Sequence, residues 1–176
     1  MGTPGRHNEH TNAGEPAALG RAPCGRAPST EWPAGHGIPP NRFNPHCWIT
    51  GQPEIGEGTW IGAFTLIDGQ GGLRIGRGCD ISSGAQILTH STARRCLTER
   101  AYGQVDRKPT LLEDFVFVGT NAVILMGARV GHHSLIAAGA VVLEDSVIPP
   151  YSLVVGVPAR VVRNLTDEIA QWSDPA

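Results

Sequence analysis

"FVGTNAVILMGARVGHHSLIAAGAVV", residues 117–142, sets a branched aliphatic at every sixth position: Val118, Ile124, Val130, Ile136 and Val142. A half-buried strand repeats every two residues and an amphipathic helix about every 3.6, so neither alone explains the spacing. The same rhythm opens at Ile49, Ile55, Ile61 and Ile67, gains two residues within "DGQGGLR", and resumes at Ile75, Ile81 and Ile87. It stops for "THSTARRCLTERAYGQVDRKPT" (89–110), returns at Leu112 and continues to Ile148 and Val154.

Other positions of the hexad are also selective. Three residues after the aliphatic stand Gly58, Gly78, Gly84, Asn121, Gly127, His133, Gly139 and Asp145. These residue types tolerate positive φ best, which marks a recurring corner. One residue further stand Thr59, Thr65, Cys79, Ala85, Ala122, Ala128, Ser134, Ala140 and Ser146, small enough to point into a tight inner corner. Gly directly follows the aliphatic at 56, 62, 76, 119 and 131. Strand and corner in alternation describe a parallel β-helix of triangular section, with three hexads to a coil. A single hexad cannot bury its own aliphatic; stacked coils can, as in other solenoids.

Residues eighteen apart then lie one above another at about 4.8 Å. Two outward columns, Phe117–Leu135–Leu153 and Val123–Val141–Ala159, are largely apolar and read as a subunit interface rather than as scattered surface aliphatics. The third column, Leu111, Arg129 and Val147, is mixed. Beyond Val154, "TDEIAQWSDPA" predicts a short helix with Thr166 as N-cap and Asp167 and Glu168 in its first turn.

A length of 176 residues suits one domain, and a formal charge of −2 gives no global reason to expect nucleic acid or a membrane surface. No apolar run approaches the roughly 20 residues of a membrane span. The opening "MGTPGRHNEHTNAGEPAALGRAPCGRAP" lacks the basic start and apolar middle of a signal peptide, so the cytoplasm is the expected location. Residues 1–40 read as a mobile Gly/Pro-rich arm, 41–165 as the β-helix domain with an inserted loop at 91–110, and 166–176 as a capping helix and tail. Cys24, Cys47, Cys79 and Cys96 follow no metal or disulfide spacing and read as free thiols.

The rhythm, closed by "IPPYSLVVGVPARVVR" (148–163), resembles the hexapeptide-repeat acyltransferases. Within that family it looks most like the galactoside and maltose O-acetyltransferases and the xenobiotic acetyltransferases, over about residues 48–165. The resemblance implies an all-β fold, a left-handed parallel β-helix with a long inserted loop and a short C-terminal helix. The left hand rests on the resemblance alone, because parallel crossovers are as a rule right-handed. It further implies a homotrimer that binds acetyl-CoA between neighbouring subunits and moves the acetyl group directly to a hydroxyl or an amine, with no metal.

His90, in "QILTHSTARRC", stands three residues after Ile87 where the repeat breaks off. By resemblance it is the catalytic base; a neutral imidazole takes a proton at physiological pH. The alternative is a corner histidine chosen for its backbone geometry. Asp68 corresponds to an acidic residue that contacts the acceptor or the base in relatives, and otherwise reads as a turn residue beside Gly69. Relatives carry an asparagine just before this stretch, where Gly62 and Ala63 stand here. Arg94 and Arg95 belong to an excursion with a local excess of positive charge, which suits a phosphorylated or nucleotide-linked sugar or serves only solvation. A sugar hydroxyl is the first choice of acceptor and a sugar amine the second.

On the donor side the resemblance assigns the Thr120 N–H to the oxyanion, Phe117, Ala138 and Gly139 to the lining of the pantetheine arm, and Arg160 and Arg163 to the CoA phosphates. The small residues also serve coil geometry, and the arginines have a simple surface reading. Relatives place Thr-Lys before the acidic residue that leads into "IPP"; this chain has Leu143-Glu144-Asp145, a charge reversal. His132-His133 reads as a corner pair.

Two other classes compete. A γ-type carbonic anhydrase uses the same β-helix but needs three histidines on zinc, two of them five residues apart; no such spacing occurs in this sequence. A non-catalytic β-helix used for assembly is the other alternative, and Glu144 is its main support.

Overall fold

The computed structural model describes residues 41–173, and the arm expected at 1–40, with Cys24, lies outside them. Five triangular coils stack as the hexad requires. Coil one holds β1 (Trp48–Gly51), β2 (Glu54–Ile55) and β3 (Trp60–Ile61); coil two holds β4 (Leu66–Gly69), β5 (Leu73–Ile75) and β6 (Asp80–Ile81). Coil three starts with β7 (Gln86–Ile87) and leaves the stack through β8 (His90–Ser91), α1 (Ala93–Leu97) and β9 (Asp106–Arg107). It rejoins in β10 (Thr110–Leu112) and β11 (Phe117–Val118). Coil four is β12 (Val123–Ile124), β13 (Arg129–Val130) and β14 (Leu135–Ile136). Coil five is β15 (Val141–Val142), β16 (Val147–Ile148) and β17 (Ser152–Val155), followed by β18 (Arg160–Asn164) and α2 (Thr166–Trp172).

The strands form three parallel faces: β1-β4-β7-β12-β15, β2-β5-β10-β13-β16, and β3-β6-β11-β14-β17. The architecture is a left-handed parallel β-helix. Where no residue intervenes the register is eighteen, as in Phe117↔Leu135↔Leu153. The two residues gained within "DGQGGLR" are absorbed at one corner, so Leu66 pairs with Gln86. The excursion is absorbed at the same corner one coil later, so Gln86 pairs with Val123. Insertions at a corner leave the strand registers intact, which is why the core survives them.

Each face contributes its aliphatic to one core: Ile67, Ile81, Ile87, Leu112, Val118, Ile124, Ile136 and Val154 are fully buried. Burying such a side chain stabilises by about 1.5–3 kcal/mol. The small residues Cys79, Ala85, Ala122, Ala128 and Ala140 fill the inner corners at 0% exposure. Asn121, His133 and Asp145 adopt positive φ as the hexad pattern requires. So do Phe64, Phe115 and Tyr151 at the equivalent position, where their residue types alone did not announce a corner. Phe115, His133 and Tyr151 make a ladder along one corner, with centroids 5.0 and 5.1 Å apart. The glycine after the aliphatic has a separate reason. A Cβ at Gly119 would lie 2.4 Å from the Ala138 backbone nitrogen, because this residue faces the next coil's corner at close approach.

Two expectations need correction. Ala159 does not extend the Val123–Val141 column as a strand of that face: β18 turns back antiparallel on β17, while the Ala159 N–H donates to the Val141 carbonyl at 2.9 Å and the Val141 N–H to the Gly156 carbonyl at 3.0 Å. Thr166 is not the N-cap of α2. Leu165 is, buried at 2%, and the Asn164 side chain accepts the Thr166 N–H at 2.8 Å. Burial of Leu165 against the last coil outweighs capping propensity. Asp167 and Glu168 do occupy the first turn. Cys47 and Cys79 are buried free thiols and Cys96 is an exposed one.

Candidate active site

His90 and Asp68 meet. β4 carries Asp68 to the end of the first face, and β7, the neighbouring strand, ends at the corner that opens into the excursion. There His90 Nδ1 lies 2.6 Å from Asp68 Oδ2. The carboxylate is held from every side. Its Oδ1 accepts the Gln70 N–H at 3.0 Å and the Thr50 hydroxyl at 3.2 Å. Its Oδ2 accepts the Thr89 N–H at 2.9 Å, and the Thr89 hydroxyl lies 2.9 Å away. That hydroxyl in turn accepts the Gly71 N–H at 2.8 Å.

Burial alone would push the Asp68 carboxyl up. The N–H groups of Thr89 and Gln70, with His90 and the Thr89 hydroxyl, outweigh it and hold the carboxyl down at about 2. An ionised carboxylate only accepts, so Nδ1 must carry the proton in this contact, and Nε2 of a neutral ring keeps the lone pair. Exposure divides the pair suitably: 33% of the His90 side chain is open to solvent against 2% for Asp68. The backbone alternative for His90 fails, because it sits in a short strand and is not among the positive-φ residues.

Thr50 was not singled out from the sequence, yet it stands eighteen residues before Asp68 and pairs with it in register. The column rule was the signal that would have found it. Thr89, fully buried, shows itself only through its contacts.

The other candidates lie elsewhere. Arg94 binds Asp106 at 2.7 Å within the excursion and stacks over Tyr102 at 4.1 Å, which ties it to the loop's own structure. Arg95 is half-buried on α1. Thr120, Ala138 and Gly139 belong to the corner that leads into the first face, with the Gly139 N–H donating to the Thr120 carbonyl at 2.9 Å. Phe117 is 41% exposed on the third face. Arg163 pairs with Glu168 at 2.8 Å, and Arg160 donates to the Ala159 carbonyl at 2.8 Å. The charge reversal at 144–145 is balanced locally: Lys108, at the foot of the excursion, pairs with Asp145 and lies 3.9 Å from Glu144.

A depression of about 380 Å³ lined by Arg74, Phe115, His132 and His133 sits on another corner and holds none of the candidate residues. The chemistry of the His90–Asp68 pair outranks its shape as a guide. Among the described residues no three His, Cys, Asp or Glu side chains are grouped to hold a metal ion. No helix among them is long and apolar enough to cross a membrane.

The hexad and its stacked triangular coils carry this chain's likeness to hexapeptide-repeat proteins. The family model "Hexapeptide repeat of succinyl-transferase" matches residues 109–144. A 2,3,4,5-tetrahydropyridine-2,6-dicarboxylate N-acetyltransferase of Brevibacillus brevis is 51% identical over 61 residues, 35% of this chain and 25% of that relative. The chain thus spans about a quarter of the length of the curated relatives it matches. A hexapeptide-repeat acetyltransferase of Vibrio cholerae, solved with acetyl coenzyme A, is 35% identical and superposes with a TM-score of 0.58. That match covers 69% of this chain and 65% of the Vibrio protein. AntD, an N-acyltransferase of Bacillus cereus solved with dTDP and coenzyme A, shares the fold at a TM-score of 0.62 and 22% identity, covering 72% of this chain and 71% of its own.

Proposed function

We propose that the protein is an acetyl-CoA-dependent acetyltransferase acting on a hydroxyl of a sugar or glycosylated metabolite in the cytoplasm, with His90 as general base. The observation that carries this reading is the 2.6 Å contact between His90 Nδ1 and an ionised, buried Asp68. It leaves Nε2 as the proton acceptor and stabilises the imidazolium that forms. Nε2 removes the acceptor's proton as its oxygen attacks the thioester carbonyl. The C–S bond then breaks, and the proton passes from the imidazolium to the departing thiolate. The Thr120 N–H is assigned to the developing oxyanion, a contribution of about 3–4 kcal/mol for a well-placed donor. Phe117, Ala138 and Gly139 are assigned to the pantetheine arm, and Arg160 and Arg163 to the phosphates once released from their present partners.

The site is assigned to the cleft between copies of a homotrimer. In one chain His90 and Thr120 lie at opposite edges of the first face, roughly 15–20 Å apart at about 3.3 Å per residue. That distance excludes direct cooperation within a chain, and the apolar outward columns suit burial between copies. Transfer to an amine is the second reading, favoured by relatives named N-acetyltransferase and N-acyltransferase, one of them for a dicarboxylate acceptor.

The test is a panel of hydroxyl and amine acceptors with acetyl-CoA, followed by free-thiol release over the acceptor-free baseline. No release with any acceptor, together with no thermal stabilisation by acetyl-CoA, would favour the assembly module instead.

A further inference from the structure

The antiparallel ribbon at the foot of the excursion sets Arg107 directly opposite His90. The Lys108 N–H donates to the Thr89 carbonyl at 3.0 Å, so residues 89 and 108 form a hydrogen-bonded position and His90/Arg107 the non-hydrogen-bonded one beside it. At such a position opposed Cα atoms approach to about 4.5 Å, and both side chains leave the ribbon on the same face. The next pair, Ser91 and Asp106, faces the other way.

Charges are distributed unequally between those two faces. On the far face Asp106 accepts from Arg94 Nη2 at 2.7 Å and from the Tyr102 hydroxyl at 2.9 Å. Lys108 is engaged by Asp145 and Glu144. Arg107 is exposed, and among the described residues no carboxylate lies within ion-pairing distance of it. The carboxylate behind His90 makes no ion pair with it either, and both Asp68 oxygens are taken up by Thr50, Gln70, Thr89 and His90. The result is a guanidinium that no carboxylate of the described residues pairs, on the same face as the base. A neutral acceptor offers that fork only single, uncharged hydrogen bonds. An anionic one is drawn to it bidentately and is shielded from repulsion by Asp68.

We infer that the acceptor carries a carboxylate or a phosphate, and that Arg107 binds this anion and so sets the reacting hydroxyl or amine against His90. This rests on the acetyl-transfer reading of His90. It makes Arg107, rather than Arg94, the arginine that selects the acceptor.

Two measurements test it. In the first, inorganic phosphate and, separately, acetate are titrated into the full-length protein while the His90 ring-proton resonances are followed. Saturable shifts are expected with wild type. With Arg107→Gln they are expected to be weakened about 10–100-fold, and with Arg107→Lys to be partly retained. Absence of a saturable shift with either anion, or equal shifts in Arg107→Gln, overturns the inference whether or not the protein transfers acetyl groups. In the second, kcat/KM is compared for glucose, glucuronate and glucose 6-phosphate, and for glucosamine and glucosamine 6-phosphate. Wild type is expected to favour an anionic member at least tenfold, with the preference falling about 10–100-fold in Arg107→Gln. A preference for the uronate or for the phosphates identifies which anion the site takes. Turnover with no charge preference overturns the inference and leaves acetyl transfer standing. Thiol release absent throughout, together with no thermal stabilisation by acetyl-CoA, sinks acetyl transfer, and intact phosphate shifts then leave the anion site.

Discussion

His90 and Thr120 occupy opposite edges of one face of the β-helix, the first just beyond β7 and the second just before β12, which is the strand next to β7. Parallel strands in register keep those edges apart by a full hexad, so no side-chain motion brings them together in one chain. If the site forms between copies, two defective proteins restore each other. Mixing His90→Ala with Ala138→Trp, after joint refolding, should recover activity at about a quarter of the sites for random assembly of a symmetric trimer. Recovery no greater than the sum of the separate variants would place all the chemistry within one chain.

His90→Ala should lower kcat by about 10²–10⁴-fold, the usual contribution of a positioned general base. The thermal shift produced by acetyl-CoA should persist, because the substitution removes no group assigned to the donor. Steady-state kinetics and a melting curve separate the two effects.

Asp68→Asn removes the acceptor that selects the Nδ1–H tautomer. A loss of about 10²-fold or more in kcat is expected, with KM for acetyl-CoA little changed. Stability should respond as well. The Asp68 carboxyl lies near 2 in the fold against an ordinary 3.8, so its contribution is fully present above 3.8. It is lost as the pH falls from there through about 2. The amount is about 2 kcal/mol. Urea midpoints between pH 5 and pH 2 should therefore fall more for wild type than for Asp68→Asn, and parallel curves would refute the assignment.

Gly119→Ala should destabilise by about 1–3 kcal/mol or more through overpacking, since its new Cβ would meet the Ala138 backbone nitrogen at 2.4 Å. By contrast, a Cβ at Gly103, in the excursion, would meet nothing within 4 Å. Gly103→Ala should leave the denaturation midpoint within about 0.5 kcal/mol of wild type. Equal behaviour of the two variants would contradict the stacking.

The spacing of Ile67, Ile87, Val118, Ile124 and Val142 was enough to determine the coil, its three faces, the inward residues and most corners. Every one of those features repeats within six residues and is satisfied by the same stacking contact one coil away. The Thr50–Asp68 contact belongs with them, because eighteen residues is the coil itself. Tertiary structure alone decided the rest. The resemblance offers Asp68 as a contact of either the acceptor or the base, and only the structure sets it on His90. The placing of Arg107 opposite His90 depends on how the excursion closes on itself, and an antiparallel ribbon outside the stack obeys no hexad. The same holds for the chain end, where burial of Leu165 displaced Thr166 as cap and β18 reversed where another coil would have carried Ala159 onto Val141.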